Sequence, residues 1–487
     1  MNRILLVYDD SQKPGRDILQ IVGDKPFSDI IYKRKTIKGR TFEILSQYDF
    51  IIDKIILSSI DKISGLVNKL SNYPSSLPVF HMFSDSIISN PDEFDILINK
   101  TKFVKQNICV FSPSLAGVMF HSTEDYIRFL KNSLIGNSTR DFLDGLNTEQ
   151  MKSDAFTNID DMQNFIKYIT GGFDARFFNR FSGDDYIITK KSSNRLKIKS
   201  EYTYFQLLPE QMRMWFVMPF NYQETEDIAG YSMERYHMPD LAIRWVHRSI
   251  SVDEFEGILN KLFVFLNSRS VRPITAAQYR ETADELYLVK LDRRMNEVKK
   301  SPYFGQFQQF ISSGTRFSSL EEIIGEYKLL YKTACEKGKF KSISVIGHGD
   351  FCFSNMLYDK ETSMLKLLDP KGALTEPELW TDPYYDAAKL SHSICGKYDF
   401  FNSGLFDCLL DEDLKFKLLI EFDNAPYIEL FKKYLAQNGY DYACVRLFEA
   451  SLFLSMLPLH MDYPQKVFGF LLNAINIMEE VRLCWKM

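Results

Sequence analysis

The sequence has little of what marks a specialised chain. Gly (23) and Pro (17) make up about 8% of the 487 residues, below the roughly 12% of average chains, which argues against a long disordered tract. The seven Cys are odd in number and scattered without a C-x-x-C, and the seven His form no H-E-x-x-H. These gaps argue against a disulfide framework, a zinc ribbon and a zincin metalloprotease. Positive charge is not in excess, with a net charge of −5, so no general nucleic-acid surface is expected. No apolar run reaches the ~18 residues that a membrane helix needs, so no integral membrane segment is predicted. The N-terminal run Ile4–Tyr8 meets Asp9 and Asp10 at once, which is wrong for a signal peptide. Together these features predict a soluble protein of a reducing compartment, the cytoplasm. Neither G-x-G-x-x-G nor G-x-x-x-x-G-K-[ST] follows the first predicted strand, so no motif supports a nucleotide site there.

Packing material, by contrast, is plentiful: 45% of residues are hydrophobic, with 40 Phe and 26 Tyr. Residues 1–140 alternate strands and helices. Ile4–Tyr8, Phe50–Leu57, Leu77–Phe83 and Ile108–Phe111 read as strands, and Ser59–Leu70 has a helical period. This predicts a parallel, Rossmann-like α/β accessory domain. The polar stretch from Asn132 to Asp161 marks the junction. A second domain is expected over 150–487. Its smaller part, about 160–240, reads as a strand meander (Phe177–Phe181, Tyr186–Lys190, Met214–Pro219), and its larger part, about 241–487, as helices. Those helices are expected at Val252–Asn267, Glu281–Lys299, Leu320–Lys337, Leu414–Asn438, Tyr440–Met456 and Lys466–Trp485.

The chemistry concentrates between Ser344 and Gly372. Asp350 closes Gly347-His348-Gly349-Asp350, Asn355 follows five residues on, and Asp369 follows after an apolar run, a polar turn and a second apolar run. That pattern is a hairpin, whose ends bring Asn355 and Asp369 together with Asp350 on the loop that enters it. Phosphoryl transfer uses this set: one carboxylate for the attacking hydroxyl, and an amide oxygen and a second carboxylate for Mg²⁺ on the nucleotide phosphates. A solvated loop beside an ordinary hairpin is the bland alternative. Lys371, two residues beyond Asp369, is placed to contact phosphate or an anionic acceptor.

The H-G-D-x4-N run, the apolar-flanked Asp369 and Asp382-Pro383-Tyr384-Tyr385-Asp386-Ala387-Ala388 resemble the catalytic core of the aminoglycoside phosphotransferase and choline kinase family, relatives of protein kinases. The resemblance covers about residues 165–480. The Asp-Pro-Lys-Gly variant looks most like phosphotransferases encoded with bacterial capsule and surface-polysaccharide genes. What the resemblance implies is a two-lobed α+β kinase-like fold and ATP, with GTP as the alternative, as phosphoryl donor with Mg²⁺ or Mn²⁺. It makes Asp350 the catalytic base or orienter and Asn355 and Asp369 the metal ligands. His348 would be a structural brace, and Asp386 would support the catalytic loop from behind, unless it is simply the N-cap of the helix that follows. Either Lys190 or Lys191 would hold phosphate. Lys190 is favoured because it shares a strand face with Ile188, which would cover adenine. Glu201 would pair with that lysine, Gly171 and Gly172 would form the phosphate-covering turn, and Met233, Glu234 and Tyr236 would line the adenine edge.

The implied acceptor is a small molecule: a sugar or sugar derivative first, an amino alcohol next. Asp284, Glu285, Asp292, Arg293 and Arg294 are charged candidates on one helix, more readily read as a solvated face. Two other readings stay open. One adds nucleotidyltransferase activity in the N-terminal domain, where Ile21-Val22-Gly23-Asp24-Lys25-Pro26-Phe27 resembles such domains faintly. The other is a kinase-like nucleotide-binding scaffold. A protein acceptor is also compatible with the sequence.

Overall fold

A computed structural model describes residues 3–32, 34–133, 148–169, 179–184 and 186–486. The chain forms two compact units, one of residues 1–172 with 247–249 and one of residues 173–246 with 250–487.

In the first unit, strand β1 (Ile4–Asp9) is buried along its whole length, as its unbroken apolar run requires. Its alternate side chains feed two cores: Leu5 and Val7 on one face, Ile4, Leu6 and Tyr8 on the other. The sheet is therefore covered on both sides. The other strands are β2 (Ile51–Leu57), β3 (Val79–Phe83), β4 (Ile108–Ser112), β5 (Ser114–Phe120) and β6 (Glu149–Lys152), in the order β2-β1-β3-β5-β4-β6. The sheet is not all parallel as expected: β1 pairs parallel with β2 and β3, and β4 with β6. Strand β5 runs antiparallel to β3 and β4, because Pro113 alone separates β4 from β5 and so short a link allows only a hairpin. The polar stretch taken as a junction contributes β6, which pairs with β4, so the first unit extends to 172 and not to 140. Ile21 and Val22 close a helix (Arg16–Val22) that ends on Gly23 at φ 77, and they form no loop after a strand.

The second unit begins with an antiparallel sheet of β7 (Asn179–Gly183), β8 (Ile187–Ser192), β9 (Pro219–Glu224) and β10 (Ala229–Glu234), in the order β7-β8-β10-β9. Helix α1 (Arg195–Leu207) follows β8, capped by Asn194. The strand expected over Met214–Pro219 starts only at Pro219. The residues before it instead bridge to the hairpin between Asn355 and Asp369: Leu367 N–H donates to Trp215 C=O (2.8 Å) and Val217 N–H to Leu367 C=O (3.1 Å).

The helical part follows with α2 (Val252–Ser268), α3 (Lys290–Lys299), α4 (Pro383–Ile394), α5 (Tyr442–Met456) and α6 (Pro464–Trp485) around one large aromatic core. Hairpin strands β11 (Met356–Tyr358) and β12 (Leu365–Leu367) pair antiparallel, Met356 opposite Leu367. The helix expected over Leu414–Asn438 covers only Ala425–Gln437. Residues before it form a second hairpin, Asp407–Leu410 with Phe416–Leu419, whose turn is held by Asp411 accepting from Asp413 and Lys415 N–H. One segment, Tyr442–His460, is long and apolar enough to cross a bilayer, but 78% of its apolar window is buried inside the protein. It is the core helix of this unit.

Candidate phosphotransfer site

Alternation along β8 sends the two lysines to opposite faces. Thr189 faces one way and meets Ser232 (3.0 Å), while Ile188 and Lys190 face the other, opposite Met233 and Tyr231 of β10. The Lys190 ammonium is fully buried and bonds Glu201 Oε2 on α1 at 2.7 Å and Asp369 Oδ1 at 2.8 Å. Lys191 is exposed. Burial alone would lower the Lys190 pKa, but Asp369 and Glu201 hold it above the ordinary lysine value. Tyr231 OH donates to Glu201 (3.1 Å), and Lys197, one turn back along α1, lies 3.5 Å from its other oxygen.

The hairpin joins Asn355 to Asp369 through Leu368 N–H, which donates to Asn355 C=O at 2.9 Å. Asp369 follows at once with φ 49, a left-handed conformation uncommon outside Gly, Asn and Asp. Burial would raise the Asp369 pKa, yet Lys190 holds it below the usual carboxylate range. Asn355 donates its side-chain N–H to Asp350 C=O (2.9 Å) and Oδ2 (3.0 Å). With Asp369, its side-chain oxygen would make a neutral oxygen plus one carboxylate, a set that fits a hard cation such as Mg²⁺, which takes its remaining ligands from phosphate and water. Among the described residues no cluster of three or more His, Cys, Asp or Glu could hold a metal.

Asp350 also faces a cation that the sequence reading missed. Lys389 Nζ of α4 lies 2.8 Å from Asp350 Oδ1. Burial pushes the Asp350 carboxyl up, but Lys389, and then His348 and Asn355, hold it far below the usual carboxylate range. The signal was present in sequence: Lys389 stands three residues after Asp386, on the same helix face.

Asp386 is fully buried and accepts His348 N–H (2.9 Å) and Gly349 N–H (2.8 Å). Its charge is met by Arg269 at 2.9 Å. It is not the helix N-cap. Asp382 is, accepting Tyr384 N–H at 2.9 Å while Tyr279 and Tyr287 donate to its two oxygens. Gly349 has φ 79, and a Cβ there would stand 2.5 Å from Lys371 Cβ, so the loop needs glycine at this point. His348 stacks on Phe216 (5.6 Å, 14°) and accepts Asp350 N–H on Nδ1 (3.2 Å). Burial holds its pKa below the ordinary histidine value.

Ile188, Tyr236, Leu357 and Leu368 pack against Met233 and Tyr231 in a separate apolar cluster. Glu234 is exposed at the end of β10, and Arg235 N–H is committed to Tyr186 C=O (2.8 Å). Gly171 and Gly172 lie outside the described residues. Of the helical candidates, Asp284 accepts from Arg280 and Tyr331, Asp292 pairs with Lys328, and Glu285 and Arg293 are exposed. Arg294 alone among them lines the cleft, which has a volume of about 400 Å³ and also takes in Asp350, Asn355, Asp369 and Lys371.

No family model matches the chain. No curated protein matches it. Its structural neighbours are aminoglycoside phosphotransferases and an ethanolamine kinase. It is similar to a thermostable mutant of aminoglycoside phosphotransferase APH(4)-Ia in a ternary complex with AMP-PNP and hygromycin B, at 12% identity and a TM-score of 0.39 over 65% of this chain and 97% of that one. For the Plasmodium vivax ethanolamine kinase the identity is 9% and the TM-score 0.34, over 66% and 87%. For APH(2'')-IIa with streptomycin and ATP they are 14% and 0.32, over 67% and 99%. At these identities and TM-scores the likeness carries no argument of its own about activity.

Proposed function

We propose that the second unit is a kinase that transfers the γ-phosphoryl group of ATP to a hydroxyl of a small molecule. The observation that carries this reading is the buried Lys190, bonded at once to Glu201 and Asp369, which line the cleft together with Asp350 and Asn355. Phosphoryl transfer asks a protein mainly for positioning and charge stabilisation, and each group has a matching task. Lys190, fixed by Glu201, takes phosphate oxygens. Ile188, Met233, Tyr236 and Leu357 supply apolar contact for the base. Asn355 and Asp369 hold Mg²⁺, which when bound neutralises charge on the phosphates. Asp350 stays ionised at neutral pH, so it accepts and orients the acceptor hydroxyl and is too weak a base to take its proton early.

By its resemblance the acceptor is a sugar or sugar derivative of surface-polysaccharide biosynthesis. The test is Asp350→Asn. Nucleotide binding should survive while transfer falls by ~10²–10⁴-fold, the usual contribution of a positioned proton acceptor. Weakened AMP-PNP affinity with turnover retained would refute the assignment.

A further inference from the structure

The cleft wall carries more cations than carboxylates. Five cationic side chains line it, Lys197, Lys290, Arg294, Lys371 and Lys389, against three carboxylates, Glu201, Asp350 and Asp369. All three carboxylates are already met: Glu201 and Asp369 by the buried Lys190, and Asp350 by Lys389. Lys197 also lies 3.5 Å from Glu201, which leaves the charge of Lys290, Arg294 and Lys371 with no carboxylate counterpart in the wall itself.

Lys290 and Arg294 stand four residues apart on α3 and so share one face. A π-helical turn, Glu285–Val289, leads into them; such turns re-aim the residues that follow and recur at functional sites. Lys290 donates to Tyr385 OH at 3.0 Å, and Tyr385 lies on α4, the helix that carries Lys389. The pair is thereby tied to the Asp350 end of the cleft. Arg294 spends one Nη on the exposed Glu297 (2.7 Å), while its Nε is buried without a partner. A buried guanidinium N–H without an acceptor is costly. The planar guanidinium fork matches the oxygens of phosphate and carboxylate. A cationic acceptor would meet like charge in the same place.

We propose that the acceptor is itself an anion, a hydroxyl compound bearing a phosphate or carboxylate group that Lys290 and Arg294 bind while the hydroxyl turns to Asp350. This rests on the phosphotransferase reading and narrows it, moving away from amino alcohols and towards acidic or phosphorylated sugars.

Calorimetry on the full-length protein saturated with Mg²⁺ and AMP-PNP tests it, with inorganic phosphate, glucuronate and choline as titrants. Phosphate or glucuronate should bind and choline should not, and whichever anion binds identifies the group recognised. Lys290→Gln and Arg294→Gln should each weaken the anion about tenfold, the size of one charge-assisted contact, with AMP-PNP affinity and melting temperature kept. Normal AMP-PNP binding without anion binding, anion binding indifferent to both substitutions, or preferential binding of choline would each overturn the proposal alone. Failure of the wild-type protein to bind AMP-PNP would overturn the phosphotransferase reading, and this proposal with it.

Discussion

Lys389→Met separates a cleft built for chemistry from one that merely contains charges. The substitution keeps much of the side chain's length and packing and removes the cation 2.8 Å from Asp350. A hydrogen bond to a charged group is worth about 1.5–3 kcal/mol, or about one to two pKa units at 1.36 kcal/mol each. The Asp350 side chain is 37% exposed, so solvent screening favours the lower figure, about one unit. The sign follows from linkage. The Asp350 pKa is depressed in the folded protein, because Lys389 outweighs the upward push of burial. Its ionised form thus stabilises the fold above the unfolded pKa of ~3.9, and that contribution is lost as pH falls towards the folded value. Without Lys389 the depression shrinks. Turnover at neutral pH should then fall about tenfold, as ~1.4 kcal/mol of lost positioning implies, while Asp350 stays ionised. ADP release to water or acceptor at neutral pH reads the effect. A variant with wild-type turnover would show that Lys389 only balances charge.

Lys190→Ala should lower kcat/KM by ~10²-fold through loss of a charge-assisted phosphate contact, and Glu201→Gln should do the same more weakly. Lys191→Ala, on the opposite strand face, should stay within the range of a surface substitution; steady-state kinetics on the three variants decides it. EDTA should abolish turnover, and Asp369→Ala should remove metal-dependent nucleotide binding that Asn355→Ala reduces only in part, because a neutral amide holds a divalent cation less strongly than a carboxylate; calorimetry with and without Mg²⁺ checks this. Asp386→Ala should destabilise the protein by about 3–5 kcal/mol, since it strands the buried Arg269 charge and frees two loop N–H groups; urea denaturation measures the loss.

Sequence patterning was legible wherever one local rule acted alone. The unbroken run of β1, the helical periods of α2, α5 and α6 and the catalytic hairpin each follow from spacing and burial within a few residues. It failed where a distant partner chose the conformation. Trp215 and Val217 look like strand residues, yet they leave the small sheet to bond Leu367, far along the chain. Residues 414–424 have enough apolar positions for a helix, but Asp411 folds the stretch before them into a turn. The mixed sheet of the first unit was hidden because strand direction depends on link length, and Pro113 alone separates β4 from β5.

The candidate site divides the same way, for a physical reason. Asp350, Asn355 and Asp369 stand on one loop and one hairpin, so their convergence is set within a short stretch of chain. Lys190 and Glu201 are close in sequence as well, and strand alternation sends Lys190 and Lys191 to opposite faces. Lys389, Lys290 and Arg294 come from helices whose approach to the cleft depends on tertiary packing, and in sequence Arg294 reads as part of a solvated face. Asp382 and Asp386 show how fine the distinction is. Both sit in the first turn of one helix, four residues apart. One caps it between two tyrosines, and the other turns back to hold His348 and Gly349. Charge type and helical spacing are the same for both; only what packs against each separates a structural cap from the brace of a catalytic loop. The residues proposed to bind the acceptor are of this second kind, because α3 and α4 bring Lys290, Arg294 and Lys389 to the cleft only through tertiary packing.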